Sequence, residues 1–224
     1  GTVDICFAQP SFIRLRAHGV GVRLTSSTRG NYAVEEGHDE WEIHGSSKYR
    51  VGALTGGLQL TQHWAGTNSA PPIVAEFLPQ SSSGNLEGFI GDYRLVWNRP
   101  IELKQTYDDA LRTLTAEYDR WLKKMPSVAA EFGPTAEQAA YVDWSAVVEP
   151  GGSLTRPAML MSKNWMTSLW SWDNCFNAMA FIATAPKIAW DQYMIPFDNQ
   201  DTSGQLPDVM NDEQESWKHT KPPV

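Results

Sequence analysis

The hydrophobic period of this chain changes at one place, the breaker Asn98-Arg99-Pro100. Upstream the apolar residues alternate. Downstream they recur every three or four positions. A strand buries every second side chain, whereas a helix buries one stripe at 3.6 residues per turn, so a change of period marks a change of architecture. The chain therefore reads as a β-rich part over 1–100, a linker helix within 101–126 and a helical part over 127–224.

In the first part Phe12-Ile13-Arg14-Leu15-Arg16 alternates, and Val20, Val22 and Leu24 share a face after a turn at His18-Gly19. Trp41-Glu42-Ile43 and Tyr49-Arg50-Val51 flank Gly45-Ser46-Ser47, a hairpin signal, and Gly56-Gly57 precedes Leu58-Gln59-Leu60-Thr61. Residues 86–90 and 93–97 read as closing strands around a turn at Gly91-Asp92, with polar gaps over 25–39 and 64–72. Roughly six to eight short strands at turn spacing predict an antiparallel β-sandwich, incomplete if its early strands lie elsewhere. His18, His38, His44 and His63 are scattered without ligand spacing, so no metal or other cofactor is expected. Cys6 and Cys175 lie far apart and read as unpaired buried thiols.

After the breaker, Tyr107, Leu111, Leu114, Tyr118 and Trp121 form one stripe, predicting a helix over 103–124 that Pro126 stops. Thr135 and Gln138 have capping-box spacing for a helix running to about 147. Pro150-Gly151-Gly152 breaks it, and 154–161 reads as extended. A helix over 172–184 carries Trp172, Phe176, Met179, Ala180 and Ala183 on one side. Pro186 opens the next, over 187–197, with Ile188, Trp190, Tyr193 and Met194. Two helices so tightly joined make an αα-hairpin.

The chain is 42% hydrophobic, enough for a packed core. Its formal charge of −8 argues against a nucleic-acid partner, which needs a basic face. No apolar run is long enough to span a membrane and no signal-peptide pattern opens the chain, so no membrane partner is expected and the compartment stays open.

Ten tryptophans require an explanation, and core filling and carbohydrate stacking are the obvious two. Leu169-Trp170-Ser171-Trp172-Asp173 concentrates two indoles and a carboxylate ahead of an apolar helix. Indole faces cover the C–H faces of a pyranose, and a carboxylate accepts from its hydroxyls. The alternative is a buried tryptophan pair with Asp173 as a plain N-cap. The loop over 198–208, with Asp198, Asn199, Gln200, Asp201, Thr202, Gln205 and Asp208, is either a reader of sugar hydroxyls or a solvated connection.

Trp170-Ser171-Trp172-Asp173, the helical pair, Gln200, then Gly204-Gln205-Leu206-Pro207-Asp208 and Thr220-Lys221-Pro222-Pro223 resemble glycoside hydrolase family 63. The pattern is similar to its bacterial-type α-glucosidases and to the mannosylglycerate or glucosylglycerate hydrolases, most specifically over 160–223. The resemblance implies a mixed fold: an antiparallel β-sandwich, a linker helix and the first hairpins of an α/α six-hairpin barrel. It implies that Trp170, Trp172 and Asp173 line the subsite of the non-reducing sugar, with Asp173 essential for holding hydroxyls. Gln200, Asp208, Thr220 and Lys221 would lie near the pocket.

Inverting glycosidases need two carboxylates about 6.5–9.5 Å apart, one acid and one base. In the family both lie downstream of the Thr-Lys-Pro-Pro motif, so no catalytic acid or base is expected within this chain. Glu213 and Glu215 are the remaining acids near the site and read as solvated loop residues. The expected chemistry is inverting hydrolysis of an α-glucoside or α-mannoside, with a small oligosaccharide or glycoside as substrate. A second chain or a further C-terminal segment would complete the barrel. The alternatives are a non-catalytic carbohydrate-binding or assembly subunit, and another α/α-barrel enzyme such as a trehalase.

Overall fold

The computed structural model describes residues 1–26, 32–45, 47–61, 72–81, 84–93 and 95–219. The chain divides into two compact units, 1–114 and 115–224. The first is built of β1 (Thr2–Gln9), β2 (Phe12–His18), β3 (Val22–Thr25), β4 (Tyr32–Gly37), β5 (Glu40–His44), β6 (Lys48–Thr55), β7 (Gly57–Thr61), β8 (Val74–Leu78) and β9 (Asn85–Tyr93). Six strands form one antiparallel sheet in the order β1-β2-β9-β6-β5-β4, and three form another in the order β3-β8-β7. One core joins them: Leu15, Ala17, Val51 and Leu86 from the larger sheet meet Leu58, Ala75 and Phe77 from the smaller. Period-two alternation places these side chains on the inner faces, as the sequence predicts.

The turns follow backbone chemistry. Gly19 (φ +67°) and Gly56 (φ +85°) take the left-handed conformations that let the chain cross from one sheet to the other. His38 and Asp39, both at φ 57°, form the two-residue turn between β4 and β5, where the strand twist favours two positive φ values.

Three expectations for this unit are corrected. The polar gap over 25–39 contains β4, whose Ala33 is buried while Val34, Glu35 and Glu36 are exposed. An edge strand with one solvated face needs few apolar residues. Gly91-Asp92 is not a turn, because β9 runs unbroken to Tyr93, and 95–97 is not a strand. The glycine is required by contact instead, since a Cβ there would stand 2.4 Å from ring atoms of Trp97. Two further glycines are ring seats: a Cβ on Gly88 would stand 2.5 Å from the Phe77 ring, and one on Gly52 2.5 Å from the Phe89 ring.

The linker helix α1 (Tyr107–Leu122) is shorter than expected because a 3-10 turn, Ile101–Lys104, precedes it and Thr106 caps it. The Thr106 Oγ1 accepts from the Asp109 N–H at 3.1 Å, and the Asp109 carboxylate accepts from the Thr106 N–H at 3.2 Å. That is the reciprocal capping box. It also holds the Asp109 carboxyl below the usual carboxylate range. The box expected at Thr135 and Gln138 is not formed. There α2 (Gly133–Ala146) opens three residues earlier than that cap implies, with Pro134 in its first turn and no side-chain cap. Proline has no N–H to satisfy and its φ is already helical, so it starts the helix unaided.

In the second unit β10 (Val147–Val148) pairs with β11 (Ala158–Met159). Then come β12 (Leu169–Trp170), α3 (Ser171–Phe181), α4 (Pro186–Asp198), β13 (Val209–Met210) and β14 (Glu215–Ser216). Trp121, Ala140, Phe181 and Ala189 form one buried cluster, in which the Trp121 indole N–H donates to the Ala140 carbonyl at 3.0 Å. Leu154, Ala158, Leu169, Ile195 and Met210 form a second. The hairpin of α3 and α4 is present and Pro186 opens α4, as expected. Its apolar stripe, however, faces outward. Phe176 is 48% and Met179 64% exposed, and the buried residues of α3 are Asn174 and Phe181. Among the described residues no helix is long and apolar enough to cross a membrane.

Candidate functional site

The site is built around the start of α3. Leu169 is fully buried in the second cluster and fixes β12, which pairs through Trp170 with Val209 of β13. Trp170 is still extended (φ −115°, ψ 134°) and is the N-cap position, so α3 begins abruptly at Ser171. The first N–H groups of a helix have no partner within it. That of Ser171 donates to the Asp208 carbonyl at 3.1 Å, and the Asp208 N–H donates to the Ser216 carbonyl at 2.6 Å. The three-stranded sheet β12-β13-β14 thus binds Asp208, itself buried, to the first turn of α3.

Asp173 lies in that turn, where exposed N–H groups favour negative charge. Among the described residues its carboxylate has no hydrogen-bond or ion-pair partner, and the residue is only half-buried. It is not the N-cap. Trp170 is half-buried, and Trp172 is 36% exposed with its ring edge-on to Phe176 at 5.2 Å. Two indoles and an unengaged carboxylate therefore share one helix start.

The polar neighbours that hold this start in place were not legible as functional. Asn174 Nδ2 donates to the Gln192 carbonyl at 2.6 Å and Asn174 Oδ1 accepts from Asn177 at 3.0 Å. Gln192 is completely buried; its Oε1 accepts from the Met159 N–H at 2.6 Å and its Nε2 donates to the Pro157 carbonyl at 2.8 Å. Beginning at β11, the chain of bonds runs through α4 and ends one residue beyond Asp173. A polar residue at the inward position between Ile188 and Ile195 was the available signal.

The loop candidates separate. Asp198 is the last residue of α4 rather than a loop residue. It accepts from Arg156 Nε at 2.5 Å and Nη2 at 3.1 Å and from Thr155 at 2.7 Å. Arg156 above all holds its carboxyl below the usual carboxylate range. Gln200 is exposed and donates to the Gly204 carbonyl at 2.5 Å. Asp201 Oδ1 accepts from the Ser203 N–H and hydroxyl at 2.8 and 2.7 Å and from the Gln205 N–H at 2.8 Å. Gln205 Nε2 donates to the Trp217 carbonyl at 2.9 Å. Glu213 sits exposed in the β13–β14 turn, and Glu215 is half-buried in β14. Thr220 and Lys221 lie outside the described residues. Burial pushes the Cys175 thiol up, and both cysteines are free. Among the described residues no group of three or more potential ligands could hold a metal ion.

Residues 166–224 match the mannosylglycerate hydrolase MGH1-like glycoside hydrolase domain. No curated protein matches the chain. The glycoside hydrolase-like segment contains β12, α3, α4, β13 and β14, and with them every residue expected to contact sugar. Residues 1–165 lie outside it. The match supports a glycoside hydrolase relationship for this part of the chain.

Proposed function

We propose that this chain carries the sugar-binding part of an inverting α-glycosidase resembling family 63, acting on an α-glucoside or α-mannoside. The observation that carries the reading is Asp173. Its carboxylate has no partner among the described residues, follows two tryptophans at a helix start and lies within the glycoside hydrolase-like segment. Trp170 and Trp172 cover the apolar faces of the non-reducing sugar, and Asp173 accepts from its hydroxyls. Gln200 and Asp208, and on the family resemblance Thr220 and Lys221, add polar contacts to the sugar. The acid and base come from elsewhere in the complete enzyme, as does the rest of the α/α barrel. The outward rings of Phe176, Trp190, Tyr193 and Phe197 are where its next helices would pack. The β-rich unit is the sandwich of that family.

A binding-only role is the second reading. It is favoured by the engagement of Asp191, Asp198 and Asp201 in internal bonds, which leaves few acids for chemistry. One experiment separates the two. The full-length gene product is offered α-glucosides, α-mannosides, mannosylglycerate, glucosylglycerate and trehalose while the anomer released is followed by NMR. Release of the β-anomer, with Asp173→Asn slowing turnover at least about a hundredfold at unchanged circular dichroism, is the expected result. Wild-type rates in the variant would sink the role of Asp173. Sugar binding without hydrolysis would favour the second reading.

A further inference from the structure

Helix α3 carries two asparagines one turn apart, Asn174 and Asn177, although asparagine forms helix less readily than the alanines beside them. Asn174 is accounted for by the Gln192 carbonyl, to which its Nδ2 donates. Asn177 makes one bond only, from its Nδ2 to Asn174 Oδ1 at 3.0 Å. Its Oδ1 has no partner among the described residues and is open to solvent.

The orientation of that amide is fixed from the neighbouring helix. A carbonyl only accepts, so the Asn174 atom facing Gln192 is nitrogen, and its oxygen faces Asn177. Asn177 must then turn its nitrogen to Asn174 and its oxygen away. Gln192, completely buried, is itself bonded through both ends of its side chain, to Met159 and to Pro157. Asn177 Oδ1 is therefore a preset acceptor, unlike a surface amide that can turn over.

Positions 173 and 177 are four apart, so their side chains are neighbours on one side of α3, with Cβ atoms about 5–6 Å apart. Both residues are half-buried. The next position on that side, Ala180, is small and exposed, which leaves the pair uncovered along the helix. One carboxylate and one amide are too few ligands for a metal ion. They suit two hydroxyls of one ring, each of which donates to an oxygen.

We propose that Asn177 is a second sugar-binding residue of this site, accepting from a hydroxyl that Asp173 does not hold. This role rests on the sugar-holding function proposed for Asp173. Asn174 and Gln192 are positioning residues that set the polarity of the contact. A sugar with a donor at that ring position is accepted, and one without a donor there is bound more weakly.

Titration calorimetry of the full-length gene product with D-glucose, D-mannose and their 2-, 3-, 4- and 6-deoxy forms tests this. Asn177→Ala is expected to weaken the better-bound parent sugar at least about tenfold at unchanged circular dichroism. It does not weaken the one deoxy form that lacks the hydroxyl Asn177 holds, and Asp173→Asn singles out a different hydroxyl. A merely structural substitution weakens every form alike. Asn177→Leu, close in size and a good helix former, takes the place of alanine should that variant disturb the fold. Wild-type binding of every form by these variants, or one uniform loss across all forms, overturns the proposal; a loss selective for one hydroxyl in Asp173→Asn would still leave the role of that carboxylate standing. A wild-type protein that binds none of the sugars overturns both.

Discussion

The amide of Asn174 and the carbonyl of Gln192 lie 2.6 Å apart, at the point where α4 lacks a donor of its own. In a helix that carbonyl would accept from the N–H four residues on, but residue 196 is proline and has none. The side chain of α3 supplies what the backbone of α4 cannot, and does so next to Asp173. Asn174→Ala leaves a buried carbonyl unsatisfied and is expected to cost about 1–3 kcal/mol. In a Pro196→Ala background, where residue 196 regains its N–H, the same substitution costs less. A double-mutant cycle by urea unfolding reads the difference, and strictly additive effects would refute the link.

Thr106→Ala is expected to cost about 1 kcal/mol through loss of the α1 cap. Thr135→Ala, exposed within α2 and making no cap, stays within about 0.5 kcal/mol of wild type. Thermal unfolding of the pair decides which threonine caps a helix.

Gly88→Ala drives a methyl into the Phe77 ring, which is fully buried between the sheets and cannot step aside. The expected loss is about 1–3 kcal/mol. Phe77→Leu in the same chain should recover part of it, measured as a shift in the denaturant midpoint.

The Asp198 carboxyl titrates below its ordinary value of 3.8, mainly because Arg156 binds its charged form. A lowered acid stabilises the fold above the unfolded-state pKa, and that stability drains away as pH falls through 3.8 and below. Asp198→Asn is expected to cost about 1–2 kcal/mol at neutral pH and to flatten the acid limb of the stability curve. Asp109 and Asp201 shift the same way, so part of the limb remains. An unchanged limb would exclude Asp198 as a contributor.

Legibility followed how local each signal was. Alternation from Phe12 and from Leu58, and the 3-4 stripe from Tyr107, report directly on strands and a helix. Trp170-Ser171-Trp172-Asp173 was readable as a helix start because its signals adjoin in sequence, although the cap falls at Trp170 and not at Asp173. β4 was missed because its outer face is solvated, and Gly91 was misread because its reason, the Trp97 ring, arrives from a separate segment. The outward turn of Phe176 and Met179 could not be read at all: amphipathic spacing says which residues share a side, not what lies against it. Asn174 was invisible for a similar reason. Its meaning depends on Pro196 in the opposing helix.

The loop that leads to Asp208 has a further consequence. Asp201, Gln200 and Gln205 already bind the loop to itself and to Trp217, and Gly204 (φ +91°) sets its bend. A free loop of that length would lose conformational entropy each time it closed over a ligand. Here that loss is incurred on folding. Under the proposed sugar-binding role, a ligand at this helix start would meet a loop already in shape, and its affinity would reflect contact made rather than order imposed.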